Sequence, residues 1–130
     1  MTSLKQTQTV TSKINPIFGD EFQIAATLPL ERPDTTKKNR KPISIHLSKV
    51  GTNTLLGCYV YTIIDKRSDK IYQTLLNNSE ETLVDMTKKI GSLISKKFST
   101  PSYVSLSGDW SLEDLMVTVK ETIKFVDESF

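Results

Sequence analysis

Residues 78–130 read NSEETLVDMTKKIGSLISKKFSTPSYVSLSGDWSLEDLMVTVKETIKFVDESF, and the spacing predicts a helix, a short strand and a second helix. Leu83, Met86, Ile90, Leu93, Ile94 and Phe98 recur by threes and fours, as one buried helical face requires. A start after Asn78 is expected, with Glu81 three residues on as a variant capping box. Glu80, Glu81 and Asp85 near the start, and Lys96 and Lys97 at the end, all favour the helix dipole. Gly91 costs about 1 kcal/mol against alanine in a helix interior, so it marks either close packing against a sheet or a tolerated defect. Pro101 ends the helix and opens a strand over Ser102–Ser107, because proline suits the first position of a strand. Gly108-Asp109 turns the chain, and Ser111 with Asp114 caps a last helix whose apolar face is Leu112, Leu115, Met116, Val119, Ile123 and Val126.

Moving toward the N-terminus, strand patterns take over. Phe22, Ile24, Ala26 and Leu28 alternate with Gln23, Ala25 and Thr27; Ile43, Ile45 and Leu47 alternate with Ser44, His46 and Ser48. Gly51-Thr52-Asn53 reads as a hairpin turn between the second of these strands and the next. The segment from Thr54 to Ile64 is apolar on both sides, with Leu56, Cys58, Val60 and Ile64 on one and Leu55, Tyr59, Tyr61 and Ile63 on the other. Such a strand is covered on both sides, so it lies centrally in a sheet or faces a partner chain. Asp65 to Lys70 is a charged turn, and Ile71 to Leu76 a shorter strand. Residues 1–13 are polar and are expected to form a flexible tail or a weak edge strand, leaving residues 14–130 as a single domain. The fold class is therefore α+β: a mainly antiparallel sheet of about six strands with two amphipathic helices packed on it.

Composition narrows the function. The 130 residues are 37% hydrophobic and 25% charged, a balance that supports a globular core without disulfide or metal. A net charge of +2 is too small for a nucleic-acid surface. Cys58 is the one cysteine, which points to a reducing compartment, cytoplasmic or nuclear. One histidine and one cysteine cannot furnish the usual zinc shell, and the five glycines are isolated, so no cofactor or phosphate loop is expected.

The remaining candidates read as surface or core. His46 sits among serines with no carboxylate nearby in sequence, so a structurally bonded His is expected; a hydrolase-like site would need it to meet Ser or Asp in space. Lys37, Lys38, Arg40 and Lys41 form a basic cluster best read as a solvated loop, with nuclear import or an anion site as the alternatives. Trp110 is placed as a hydrophobic staple beside the last helix, and Asp127 and Glu128 oppose that helix's dipole, as a frayed end or one facing a basic partner. If Ile43, Ile45 and Leu47 face the helices, the other side of the sheet displays Ser44 and His46, with Tyr59 and Tyr61 beside them. A mixed polar and aromatic face is suited to association with another protein.

Several segments also resemble the fungal proteasome assembly chaperone 4 family. These are Ala26-Thr27-Leu28-Pro29, Lys41-Pro42-Ile43-Ser44-Ile45 and Cys58-Tyr59-Val60-Tyr61 on the strands, Asp85-Met86, Ile90, Ile94-Ser95 and Phe98 on the first helix, then Pro101-Ser102-Tyr103-Val104-Ser105. The resemblance implies a non-enzymatic chaperone that heterodimerises with a related assembly chaperone. It further implies that the pair binds an α-type subunit, the fifth, during assembly of the 20S α ring. The resemblance carries over no contact residues; it is the sheet face turned away from the helices that makes Tyr59, Tyr61, Ser44, His46 and Tyr103 the expected partner-binding residues. The rival from another class is a small-ligand-binding α+β domain, with a cavity between sheet and helices.

Overall fold

The computed structural model describes residues 7–16, 21–34, 36, 39, 41–49, 56–65, 67–108, 110, 111, 113 and 115–130. In chain order these form β1 (Thr7–Ile14), β2 (Phe22–Pro29), β3 (Ile43–Lys49), β4 (Leu56–Asp65), β5 (Lys70–Asn78), α1 (Val84–Phe98), β6 (Ser102–Ser107) and α2 (Leu115–Ser129), with a 3-10 turn at Glu81–Leu83 leading into α1. The six strands make one sheet in the order β1-β2-β3-β6-β4-β5. Every neighbouring pair is antiparallel except β3 with β6. This is the α+β architecture expected from the hydrophobic periods.

Alternation decides which side of each strand is buried. Phe22, Ile24, Ala26 and Leu28 on β2, Ile43, Ile45 and Leu47 on β3, and Val104 and Leu106 on β6 are all buried. They meet Met86, Ile90, Ile94 and Phe98 of α1, with Val119 and Val126 of α2, in one core. Each large side chain fully removed from water here contributes about 1.5–3 kcal/mol. Cys58 is part of this core and is a buried free thiol.

Helix α1 lies against the sheet at its one glycine. A Cβ on Gly91 would come 2.5 Å from Thr62 Oγ1, so close packing accounts for the glycine. A polar seam continues the contact: Ser102 donates to the Gly91 carbonyl and pairs with Ser95, while Gln73 donates to Thr62 Oγ1 and to the Lys88 carbonyl. Ser99 closes the helix in the left-handed conformation at φ 50°, and Asn39 caps that end by donating to the Ser99 carbonyl from both backbone and side chain.

Some local expectations are corrected. Strands β3 and β4 do not pair as a hairpin; β6 returns from α1 and inserts between them, parallel to β3 and antiparallel to β4. The turn residues 51–53 lie outside the described residues. Asn78 does not cap α1, because it is the last residue of β5. The chain instead enters the helix through the 3-10 turn, anchored by the Glu80 N–H on the Gly57 carbonyl at 2.8 Å. The neighbouring Asn77 does the local capping work, accepting from Ser79 N–H and Oγ. At the start of α2, Ser111 Oγ accepts from the Glu113 N–H, while Leu112 and Asp114 lie outside the described residues. Met116, expected on the apolar face, is 63% exposed, and Thr118 and Thr122 are buried in the stripe instead. A register shift beside Gly57 leaves Leu56 half-buried.

Trp110 packs edge-on against Phe22, takes the Lys49 ammonium over its ring and donates its indole N–H to the Ser107 carbonyl. It belongs to the fabric of the core edge. Asp127 is not frayed: α2 continues to Ser129, and Arg32 grips both the carboxylate and the carbonyl of Asp127 while lying over the rings of Phe98 and Phe130. Of the basic cluster only Lys41 is described, and it is exposed.

Candidate functional site: the outer face of the sheet

Both helices cover the same side of the sheet. The opposite side has, among the described residues, no second layer. Strand pairing lines its side chains into rows. One row runs Thr11, Ala25, His46, Ser105 and Tyr59; the next runs Thr9, Thr27, Ser44, Tyr103 and Tyr61. All five residues expected at a partner surface, Tyr59, Tyr61, Ser44, His46 and Tyr103, therefore stand on this face and are half-buried.

The tyrosines shield each other. Ring centroids are 4.6 Å apart for Tyr61 and Tyr103 and 6.1 Å for Tyr59 and Tyr103, both tilted. Ile63, and Tyr72 opposite it on β5, extend this aromatic pad toward the sheet edge. The remainder is hydroxyl-rich, and Thr9 and Thr27 bond across β1 and β2 at 3.1 Å. Strand residues bearing charge on this side, Lys13, Asp65 and Lys70, stand at strand ends. A nearly charge-free centre removes the largest desolvation cost of covering a surface.

His46 is held by serines. Its Nδ1 lies 2.7 Å from Ser105 Oγ and its Nε2 3.5 Å from Ser107 Oγ. Burial lowers its pKa below the usual histidine value, so the neutral ring is favoured. The imidazole thus meets a serine in space, as a hydrolase would require. Its partners among the described residues are hydroxyls, however, without the orienting carboxylate that activates a serine in a triad. Sequence reasoning did not find Ser105 and Ser107 as His46 partners, since they lie 59 and 61 positions away.

The space between sheet and helices, where a small ligand would lie, is filled by Phe22, Phe98, Ile90, Ile94 and their neighbours. Hollows open on the surface instead. A trough of about 170 Å³ crosses the outer face past Ala25, His46, Tyr59 and Tyr103, beside another of about 370 Å³ between Lys13, Ala25 and Ser48. A third, of about 420 Å³, lies by the loop from Pro29 to Asp34. Among the described residues no cluster of His, Cys, Asp and Glu is disposed to hold a metal.

Comparison with known proteins completes this description. The family model described as 20S proteasome chaperone assembly proteins 3 and 4 matches residues 1–128. The chain belongs to this family. A solved structure described as "Crystal Structure of a Novel Chaperone Complex for Yeast 20S Proteasome Assembly" aligns with a TM-score of 0.78 at 22% identity, covering 95% of this chain and 98% of that one. At that identity the match establishes a shared fold. No curated protein sequence matches the chain significantly. The single sheet with both helices on one side is thus the fold of a proteasome assembly chaperone.

Proposed function

We propose that this chaperone acts by binding alone: it heterodimerises with a related assembly chaperone through the outer face of its sheet, and the pair binds an α-type subunit, the fifth, to promote correct 20S α-ring assembly. The observation that carries this reading is the face centred on Tyr59, Tyr61 and Tyr103, which among the described residues is uncovered and bears strand charges only at strand ends. Its size suits the role. Six strands at about 4.8 Å spacing and about seven residues at about 3.3 Å each give a flat area of roughly 650 Å². A stable interface uses about 800 Å² per partner.

Tyrosine supplies large contact area at low entropic cost, and the hydroxyls around it keep the free chain soluble. An assembly factor must also release its client, and a face half polar and half aromatic allows displacement by a competing surface. Action in the cytosol or nucleus belongs to the same reading, motivated by the lone, buried Cys58.

The test is reconstitution. The purified chain, a related chaperone and each α-type subunit are mixed and analysed by size-exclusion chromatography with light scattering. A discrete ternary complex containing the fifth subunit is expected. Failure of the two chaperones to pair, or equal capture of every α subunit, overturns the proposal.

A further inference from the structure

Positive charge is concentrated in one stretch of the chain. Residues 29–42, between β2 and β3, carry five cationic and two acidic side chains, a net charge of +3 in a chain whose total is +2. Lys96 and Lys97 add two exposed cations at the C-terminal end of α1. The fold joins these two segments. Asn39 donates to the Ser99 carbonyl from backbone and side chain, Thr100 Oγ donates to the Lys41 carbonyl, and Arg32 and Lys97 both lie over the Phe98 ring. Pro33 is buried, and Arg32 holds Asp127. The connection is therefore pinned at Arg32, Pro33, Asn39 and Lys41, at the end of the molecule where both helices finish.

We propose that this pole is a docking surface for an acidic segment of a protein partner. Among the described residues the one ion pair is Arg32 with Asp127, so Lys41, Lys96 and Lys97 leave their charge uncancelled by any pairing there. Of the two acids in the connection, Asp34 accepts from the Thr36 N–H and Oγ, and Glu31 is exposed. The cavity of about 420 Å³ lies among these groups, bordered by Leu30, Arg32, Asn39 and Lys41. Leu30 is 48% exposed, so the pocket offers an apolar wall beside its cations. An acidic polypeptide with one apolar side chain satisfies both, whereas a bare phosphate would leave Leu30 uncovered. A nucleic-acid backbone would meet Glu31 and Asp34 as well as the lysines, and such binding needs a concentrated basic face. Cations carried on a pinned loop lose little further freedom when a partner arrives, which favours binding. The pole stands at the end of the helix layer, so pairing through the outer face leaves it free for the client. Assigning the acidic segment to the α-type subunit rests on the function proposed above.

Two measurements test this. In the first, the full-length chain is titrated into a short labelled peptide of Glu and Leu, read by fluorescence anisotropy. A peptide with Lys in place of Glu and a single-stranded DNA oligonucleotide serve as comparators. Saturable binding of the acidic peptide alone is expected, falling by about tenfold or more as ionic strength rises from about 0.1 M to about 1 M. Lys41→Glu with Lys97→Glu should weaken it by about tenfold or more, and Lys41→Arg with Lys97→Arg should preserve it. If Lys97→Glu, close to Asp127, loosens the end of α2 by near-ultraviolet circular dichroism, Lys97→Gln replaces it. In the second, the preformed chaperone pair is titrated with the α-type subunit. The Lys41→Glu, Lys97→Glu chain should pair with the related chaperone normally and lose about tenfold or more in client affinity. Unchanged peptide binding by that variant, tighter binding of the DNA, or no binding of the acidic peptide overturns the docking surface. A pair that captures the client equally with either chain overturns the assignment of the partner while leaving the outer-face reading intact. Failure of the unsubstituted chain to pair or to capture any client overturns that reading instead, and the peptide titration then decides the surface by itself.

Discussion

Gly91 of α1 lies directly over Thr62 of β4, so close that a Cβ on the glycine would come 2.5 Å from the threonine oxygen. That oxygen already accepts a hydrogen bond from Gln73, which in turn holds the Lys88 carbonyl, so it has little room to move. Gly91→Ala gains about 1 kcal/mol of helix propensity but forces overpacking that costs about 1–3 kcal/mol. The expected net loss is about 1 kcal/mol by urea denaturation. Combining it with Thr62→Ala, which removes the obstructing hydroxyl, should cost less than the sum of the single changes, because the two sites share one contact.

Tyr103 makes the opposite kind of prediction. It touches Tyr59 and Tyr61 on the side of the sheet away from the helices, so its ring belongs to the surface more than to the core. Tyr103→Ala should change the stability of the free chain by about 1 kcal/mol or less, the worth of such aromatic pairs. Affinity for the partner chaperone should fall by at least about tenfold, since truncating a central aromatic at an interface commonly costs more than 1 kcal/mol. Isothermal titration calorimetry beside thermal denaturation separates the two effects. An unchanged affinity would remove the aromatic pad from the interface.

The sequence made these strands legible where one period dominates. The alternation at 22–28 and 43–47, and the proline at 101, placed β2, β3 and β6 and correctly turned His46, Tyr59 and Tyr61 away from the helices. What escaped was non-local. Nothing in Gly51-Thr52-Asn53 announces that a strand about fifty residues later will separate the two strands flanking it. Asn78 resembles a helix cap because its side-chain chemistry is the same whether the residue ends a strand or starts a helix. Met116 fits the helical spacing, yet the helix presents Thr118 and Thr122 inward. Periodicity cannot fix the absolute rotation of a helix whose stripe includes threonines.

His46 gives the chain a mild sensitivity to acid. Burial lowers its pKa, so within the window between the lowered and the ordinary histidine values the unfolded chain binds more protons than the folded one. Stability is therefore full above the ordinary value and declines as pH falls through that window, flattening below it. A partner covering the outer face would desolvate the ring further, so complex formation should weaken over the same range. His46→Gln, which keeps polarity without a titrating group, should flatten both profiles measured between about pH 7.5 and about pH 5. An identical slope in the variant would show that another group titrates there.

Arg32 and Asp127 form a clasp between the chain following β2 and the last turn of α2, joining positions 95 residues apart. The hydrogen bond from Arg32 holds the Asp127 carboxyl below the usual carboxylate range, and the charges of Arg32 and Lys97 act in the same direction. Because the folded pKa is depressed, the clasp's contribution is complete above the ordinary carboxylate value and is lost as pH falls through the lowered one. Both partners are solvent-exposed, so salt should screen the ion pair and leave the guanidinium's packing on Phe98 and Phe130. Arg32→Ala should speed amide exchange in residues 126–130 more than Asp127→Asn does, because it removes the stacked cation as well as the charge pair. Arg32→Lys should restore little, since an ammonium cannot both lie flat on two rings and reach two oxygens. Hydrogen exchange read by mass spectrometry at low and high salt distinguishes these cases, and equal protection in all variants would mean that Phe130 packing alone holds the helix end.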